Sequence, residues 1–289
     1  MSAATEVRTG PADGGPGNRL DNNSTRGRFP TRTPALVRSL GLRTLSVGGL
    51  LLLWWAVARA EIWPPVILPP PQAVWEKAVA TTTEGFSGHT LPEHLWASMR
   101  RILVGSGYGT LGGVLLGLLI GLAPAVRALL GPFISFVRTL PPLAYLSLLV
   151  IWFGINEEPK IWLLVIASLP PVAVATADAV RNVAPDYLNA ARSLGARSWQ
   201  LPLWVVLPHA LPEVMTGIRI AVGVAYTSVV AAETVNGIPG IGGMVREAQR
   251  YNQTDTVILG LIVIGLSGLL IDWLLQLVDR VLAPWRGRT

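Results

Sequence analysis

Long apolar segments separated by short polar ones occupy the chain from about residue 40 to near its C-terminal end. Segment Ile102–Val126 contains no charged residue, and Thr139–Asn156 is also free of charge. A helix needs about 20 mostly apolar residues to cross the hydrocarbon core of a bilayer. The pattern therefore predicts six membrane-spanning helices, at roughly 40–60, 102–125, 136–155, 161–180, 214–235 and 256–279.

The N-terminal part of the chain has the opposite composition. Residues 1–35 are rich in Gly, Pro, Ser, Thr, Asn and Arg and poor in apolar side chains, which predicts a disordered tail. The first predicted span is the weakest of the six, because its charge-free core extends only from Thr44 to Ala58. Arg43 and Arg59 would have to extend their charged ends toward the membrane surface.

Composition supports a membrane protein and narrows its chemistry. Of 289 residues, 51% are hydrophobic and 14% are charged, whereas soluble domains carry about a quarter charged residues. The absence of cysteine excludes disulfides, thiol catalysis and Cys-ligated metals. Neither a nucleophile–base arrangement nor a spacing of metal ligands stands out, so we predict no catalytic, cofactor-binding or metal-binding residue in this chain.

The net charge of +6 comes almost entirely from arginine, and its distribution predicts the orientation in the membrane. Arginines cluster before the first span, between the fourth and fifth spans, and after the last one. Because positive residues mark the cytoplasmic side, both termini and segment 181–212 are predicted to be cytoplasmic, and segment 61–95 lies outside. A nucleic-acid-binding protein would instead need a basic face on a soluble domain. Glu157 and Glu158 are interpreted as part of a solvated loop.

The segment Pro185–Gly195 is polar although membrane spans flank it, and it predicts a short helix. Pro185 suits the first helical position, and Gly195 suits the left-handed residue that ends a helix. One face carries mainly small or flat side chains, namely Tyr187, Ala190, Ala191 and Leu194. We expect this face to dock against a soluble partner, and the alternative interpretation is a solvated connector.

The second predicted span carries glycine at every fourth position, at Gly105, Gly109, Gly113, Gly117 and Gly121. Small residues in this register let the backbone of another helix approach closely. The alternative is that glycine is simply frequent in membrane helices. No Gly-x-x-x-x-Gly-Lys-[Ser/Thr] motif occurs, so any ATP that drives this protein would bind to another chain.

Five residues within the predicted spans interrupt the apolar pattern in ways that suit a solute pathway: Arg138, Pro141, Pro142, Arg219 and Glu233. Irregular backbone at membrane depth is tolerated where it is buried in protein or lines a wet cavity, and intramembrane charges usually face a cavity or the bundle interior. Alternatives stay open for each. The prolines also suit a helix start. Arg219 could pair with Glu213, and Glu233 could hydrogen-bond to a neighbouring span.

Three motifs resemble the permease subunits of bacterial ABC importers of the nitrate/sulfonate/taurine branch. Asn189-Ala190-Ala191, followed by Gly195 and by Leu207-Pro208, resembles the EAA loop of these subunits. Segments 138–155 and 207–220 are similar to two further motifs of the branch. The similarity covers roughly 65–286, and within the branch it is strongest to the taurine permease. Asn189 departs from the family, because the EAA motif has glutamate there.

The resemblance implies an all-α polytopic membrane protein with about six transmembrane helices and the type I ABC importer permease fold. Residues 36–289 would be the transmembrane permease domain with its coupling loop at 181–212, while composition and the arginine distribution predict that 1–35 are a disordered cytoplasmic tail, which resembles no known family. The protein would lie in the bacterial inner (plasma) membrane. Two copies would form the pore in contact with membrane lipid, and an extracytoplasmic solute-binding protein would deliver the solute. Two cytoplasmic ATPase subunits, which bind ATP and Mg, would dock on Tyr187, Ala190, Ala191, Leu194, Gly195, Leu207 and Pro208.

The function expected from the resemblance is the import of a small anionic or zwitterionic solute, with taurine or an aliphatic sulfonate foremost. The chain itself would be a transport subunit and not an enzyme. Nitrate or bicarbonate import stays open. A secondary transporter that is not coupled to ATP is the other alternative, although such proteins normally show internal repeats, and none is clear between the halves of this chain.

Overall fold

The structure is a computed structural model that describes residues 33–284, without the side chains of residues 33–44 and of residue 236. Every regular element in this range is helical: α1 (Thr33–Arg59), α2 (Pro71–Thr83), α3 (Leu91–Leu122), α4 (Pro124–Thr139), α5 (Pro142–Phe153), α6 (Glu158–Arg181), α7 (Pro185–Ser193), a π-helical turn (Leu201–Val206), α8 (Leu207–Asn236), α9 (Ile241–Arg250) and α10 (Thr254–Leu282). Of the tail predicted at 1–35, residues 1–32 lie outside the described residues. Residues 33–35 belong to the start of α1.

Four of the described helices are long and apolar enough to cross a membrane: α3, α6, α8 with the preceding π-helical turn, and α10. Helices α4 and α5 together make a fifth candidate. The described residues thus hold four or five crossing helices by length and composition, where the sequence predicted six. The difference lies in the first predicted span, because the part of α1 whose side chains are described, Leu45–Arg59, is a short apolar helix.

The span predicted at 136–155 is not one helix, because α4 and α5 meet at an angle of 99°. Leu140 and Pro141 connect them, with ψ angles of 128° and 130°. Each of these residues precedes a proline, and the proline ring disfavours the helical conformation of the residue before it. The Pro141-Pro142 pair therefore ends α4 and lets α5 begin with Pro142 at its first position.

Helices α3, α6 and α8 form the centre of the fold, and glycine sets the distance between α3 and α6. A Cβ atom added to Gly113 would lie 2.7 Å from the Cβ of Val172 and 2.8 Å from the carbonyl oxygen of Leu169. The other four glycines of the stripe, Gly105, Gly109, Gly117 and Gly121, also face α6 at contact distance. Gly107 lies off the stripe, and nothing comes within 4 Å of the same position there.

The predicted coupling loop at 181–212 is largely helical. Helix α6 continues to Arg181, α7 follows after a short connection, and the π-helical turn leads directly into α8. Leu207 and Pro208 therefore open the long helix α8 and do not close a loop. Proline is compatible with this position, because the first turn of a helix has no internal partner for its N–H groups.

Candidate functional site

A cavity of about 430 Å³ lies at the bend between α4 and α5 and faces α6 and α8. Arg138 from the end of α4, Pro142 from the start of α5, and Tyr145 line it. The rest of its wall is mainly apolar and includes Ile166, Ala167, Pro170, Pro171, Gly217, Ile220 and Val224. The broken span thus places one guanidinium group beside an otherwise largely apolar chamber.

Arg138 is the charged group of this chamber. Its side chain is exposed, and none of the ion pairs among the described residues involves it. An arginine keeps its proton at any physiological pH and offers five N–H donors in a rigid plane. A cationic donor without an acidic partner, next to an apolar wall, is suited to receive an anion from the chamber.

The second polar feature of the chamber comes from the backbone of α6. Pro170 and Pro171 have no N–H, so the carbonyl groups of Ile166 and Ala167 lack the donor that a helix normally supplies four residues later. All four residues line the chamber. Two residues of the chamber lining therefore have carbonyl groups that lack their usual helical donor.

The other pathway candidates do not line this chamber. Pro141 is adjacent to it in the chain but does not form its wall. Arg219 lies on α8 and forms an ion pair of 2.8 Å with Asp272 of α10, where both side chains are partly exposed. The partner of Arg219 is thus Asp272 and not Glu213, the neighbour that sequence suggested.

Glu233 lies in a buried polar network far along α8 from the chamber. Its side chain is fully enclosed, and its Oε1 accepts a hydrogen bond of 2.7 Å from Nη1 of Arg101. The hydroxyl of Ser98 donates to the same carboxylate at 2.8 Å, and the N–H of Gly242 donates to Oε2 at 2.9 Å. Glu233 therefore joins α8 to α3 and to the start of α9.

Arg101 extends the network to the start of α6. Its Nε and Nη2 atoms donate to the two carboxylate oxygens of Glu157 at 2.6 and 2.7 Å, and Lys160 donates to Glu157 at 2.9 Å. Burial raises the pKa of the Glu157 carboxyl, but the hydrogen bonds from Arg101 and Lys160 outweigh it and lower that pKa to about 2. Glu157 thus lies in the connection before α6 with 56% of its side chain exposed, as the sequence suggested, but it also anchors Arg101, which the sequence did not indicate.

Ser98 and a second side chain of α3, His94, hold the start of α9. The hydroxyl of Ser98 accepts the N–H of Ile241 at 2.9 Å. His94 is fully buried; its Nδ1 accepts the N–H of Gly240 at 3.1 Å, and its Nε2 lies 3.0 Å from the carbonyl oxygen of Phe86. The carbonyl oxygen of Gly240 also lies 3.1 Å from Nδ1, so the ring joins Gly240 to Phe86.

Sequence reasoning missed this network, although one signal was present. His94, Ser98 and Arg101 stand at positions i, i+4 and i+7, which places them on one face of α3. A polar stripe of this kind on a membrane helix indicates buried polar contacts. The partners on α6, α8 and α9 were not visible, because they are 56 to 146 residues away along the chain.

Helix α7 lies at the other end of α6 from this network, between the C-terminal end of α6 and the start of α8. It begins with Pro185 and ends in a Schellman motif, in which Ala196 donates to the carbonyl of Ala191 at 3.0 Å and Gly195 donates to that of Arg192 at 2.9 Å. Gly195 has a φ of +84°, a conformation that glycine adopts without strain. The local signals in the sequence therefore gave the correct helix and its end.

The predicted docking face of α7 is open. Helix α7 has no buried residue, and Tyr187 and Leu194 expose 54% and 89% of their surface. Ala190 and Pro208 are exposed, while Ala191 and Leu207 are half-buried. The ring of Tyr187 lies 5.0 Å from that of His209 near the start of α8, which links α7 to the long helix.

Comparison with known proteins identifies the family. Residues 112–283 match the model of the binding-protein-dependent transport system inner membrane component. The chain belongs to this family. It is 43% identical over 248 residues to the taurine transport system permease protein TauC of Escherichia coli K12, with 84% of this chain and 90% of that protein covered.

Other relatives place the chain in one branch of the family. It is 31% identical to the putative aliphatic sulfonates transport permease protein SsuC of Bacillus subtilis 168, with 82% of this chain and 85% of that protein covered. It is 30% identical to the bicarbonate transport system permease protein CmpB of Synechocystis, with 82% and 86% covered. These relatives confirm the predicted resemblance to permeases of the nitrate/sulfonate/taurine branch.

A solved structure shares the fold. The inward-facing MetNI methionine ABC transporter matches with a TM-score of 0.60 and 18% identity, over 66% of this chain and 95% of that chain. The helical architecture is therefore that of a type I ABC importer permease. Our chain is a multi-pass inner-membrane transport subunit of an ABC importer, which works with an ATPase and a solute-binding protein. It is not an enzyme, the ATPase is a separate subunit, and the family has no cofactor of its own.

Proposed function

We propose that this chain forms the membrane pathway of an ABC importer for taurine or a related aliphatic sulfonate. The observation that carries the proposal is the chamber at the α4–α5 bend, where Arg138 faces an apolar space without an acidic partner. A guanidinium group matches the geometry of a sulfonate, because its parallel N–H groups can donate to two oxygens at once. The 43% identity to a taurine permease supports the same solute class.

The backbone of α6 favours a zwitterion over a simple anion. Taurine carries an ammonium group besides its sulfonate, and an ammonium group needs acceptors. The carbonyl groups of Ile166 and Ala167 can supply them, because Pro170 and Pro171 leave them without their usual donors. Nitrate and bicarbonate have no ammonium group and would leave these acceptors unused.

The five pathway candidates separate into two groups. Arg138 and Pro142 line the chamber, and Pro141 sets the bend that forms it. Arg219 is paired with Asp272, and Glu233 is enclosed in the network with Arg101. We therefore assign the pathway to the residues at the α4–α5 bend and a structural role to Arg219 and Glu233.

Energy for transport enters through α7. We infer that two cytoplasmic ATPase subunits, which bind ATP and Mg, dock on the surface formed by Tyr187, Ala190, Ala191, Leu194, Gly195, Leu207 and Pro208. The exposure of α7 supports this, because the helix has no fully buried residue and Leu188 is its only residue packed against a core cluster of the described chain, so most of its surface is free for a partner. The side-chain oxygen of Asn189 accepts a hydrogen bond of 3.2 Å from Nη1 of Arg192 within the helix. Because an amide is uncharged, this position offers the ATPase no negative charge.

Movement of α7 reaches the pathway through a connected set of helices. The glycine stripe joins α3 to α6, and the network of Arg101 and Glu233 joins both to α8. These contacts favour rigid movement of the three helices, with the α4–α5 bend as the part that changes. Because α4–α5, α6 and α8 enclose the chamber on one side only, we infer that a second copy of the chain completes the pore.

The orientation follows from the same assignment. With α7 cytoplasmic, the network of Arg101 and Glu233 lies at the extracytoplasmic end, where the solute-binding protein delivers its cargo. Both termini are cytoplasmic only if α1 also crosses the membrane, and its 27 residues give a length of about 40 Å, which is sufficient. A reporter fused after Arg288 should then read cytoplasmic, and a tag near Gly85 should read outside. The opposite readings would overturn the orientation.

The direct test is purification of the complex with its ATPase and solute-binding protein, followed by ATP hydrolysis in lipid. Taurine, together with the binding protein, should stimulate hydrolysis, and nitrate or bicarbonate should not. A bulky residue at position 190, Ala190→Trp, should abolish stimulation while the chain remains inserted in the membrane. Stimulation by bicarbonate or nitrate alone would reject the sulfonate assignment.

A further inference from the structure

The chamber and a neighbouring cavity both lie along α4 and α6, and the two together are called the groove here. A second cavity of about 150 Å³ lies between these helices. Val174 lines both cavities, so they are consecutive sections along α6. The polar lining of the second cavity consists of Arg127, Ser135, Asp178 and Arg181.

The register of α4 connects the two sections. Arg127, Gly131, Ile134 and Arg138 follow one another at intervals of four, three and four residues, which keeps them on one face of the helix. The first three line the second cavity, and Arg138 lines the first. The two arginines are eleven positions apart along α4, which corresponds to about 16 Å along the helix axis. One helix face therefore carries a guanidinium group at each end of the groove.

The charges of the second cavity leave one cation without a partner. Arg181 lies 3.5 Å from Asp178, and the two are counter-ions. Arg127 is half-buried, and no ion pair among the described residues includes it. Partial burial of an unpaired cation is unfavourable, and an anion bound in the cavity would remove that cost.

We propose that Arg127 forms a second oxyanion-binding position, at which the solute is held after it leaves Arg138 and before it enters the cytoplasm. This inference rests on the proposed function and extends it to the exit of the pathway. Position in the same groove as the chamber favours the transported sulfonate as the occupant. The phosphate of a membrane phospholipid has similar chemistry and is the competing occupant.

The natural absence of cysteine makes a charge-selective labelling experiment possible. Ser135→Cys places a thiol in the second cavity with little change in size. In the complete transporter complex, we would compare labelling of this chain by 2-sulfonatoethyl methanethiosulfonate and by its trimethylammonium analogue. The anionic reagent should react about tenfold faster than the cationic one. A nearby positive charge raises the local concentration of the anionic reagent by about that factor.

Two controls isolate Arg127. Adding Arg127→Gln to Ser135→Cys should reduce the preference for the anionic reagent to the part that Arg138, three residues from Ser135, produces alone, whereas adding Arg246→Gln on α9 should leave it unchanged. Leu129→Cys, which lies on the same helix and is 76% exposed, should show no preference. A preference that Arg127→Gln leaves unchanged would overturn the proposal.

The occupant is identified by protection. Excess taurine should slow labelling of Ser135→Cys equally in lipid nanodiscs of phosphatidylcholine and in nanodiscs that also contain phosphatidylglycerol. If taurine gives no protection and phosphatidylglycerol does, the position binds lipid and the proposal is wrong. Taurine-stimulated ATP hydrolysis of the same preparation is measured in parallel, so that loss of the proposed function is recognised separately from loss of this position.

Discussion

Arg101 and Arg138 are the same residue type near the ends of membrane helices, yet their surroundings differ in every respect that matters for function. Arg101 is 4% exposed and donates three hydrogen bonds to two carboxylates, Glu157 and Glu233. Arg138 is exposed to a chamber and has no acidic partner. The difference indicates that the charge of Arg101 holds helices together, whereas the charge of Arg138 is available to a solute.

The same contrast separates two kinds of packing. Around Arg101, α3, α6 and α8 are in close contact, and glycines let their backbones approach. Around Arg138, two consecutive prolines break the helix and leave a cavity of about 430 Å³. A transporter needs both, because a pathway can open and close only if the surrounding helices move without deforming.

The largest effect is expected at the centre of the network. Glu233→Ala leaves Arg101 with one carboxylate and exposes the N–H of Gly242 and the hydroxyl of Ser98 to an empty space. Removal of one partner from a buried ion pair costs about 3–5 kcal/mol. Expression in the membrane and the thermal midpoint in detergent should both fall strongly. Glu158→Gln, at an exposed position, is the control; an unchanged midpoint for Glu233→Ala would refute the structural role.

A smaller loss is expected at the glycine stripe. Gly113→Ala places a methyl group 2.7 Å from the Cβ of Val172, and such overpacking costs about 1–3 kcal/mol. Gly107→Ala adds the same methyl group where nothing lies within 4 Å, so it should be neutral or slightly stabilising. The two thermal midpoints, measured side by side, check the prediction. Equal midpoints would mean that the two helices do not require glycine.

These expectations show which parts of the molecule its sequence predicts. The start and end of α7 followed from Pro185 and Gly195, because caps are local signals. The break between α4 and α5 followed from Pro141 and Pro142 only as an alternative, since prolines suit both a bend and a helix start. The network around Arg101 was missed, because its partners come from three distant segments, at the start of α6, on α8 and at the start of α9, and only folding brings them together.

The smallest effect concerns pH at Glu157. The pKa of its carboxyl is lowered to about 2, from an ordinary value of 4.5, mainly by hydrogen bonds from Arg101 and Lys160 that outweigh the effect of burial. The pair with Arg101 is therefore fully formed above pH 4.5 and is lost only as the pH falls toward 2. The difference in thermal midpoint between Glu157→Gln and the natural chain should be the same at pH 5.5 and pH 7.5. A difference that shrinks at pH 5.5 would show that the pair is weaker than the structure indicates.

The central claim is that a paired arginine supports the fold and an unpaired one serves the solute. Arg101→Gln and Arg138→Gln remove the same charge, so one measurement compares them: taurine uptake and basal ATP hydrolysis of the purified complex in liposomes. Arg138→Gln should assemble, keep basal hydrolysis and lose most uptake, whereas Arg101→Gln should fail to assemble in normal yield. Normal uptake by the Arg138→Gln complex, or normal assembly of Arg101→Gln, would contradict the account.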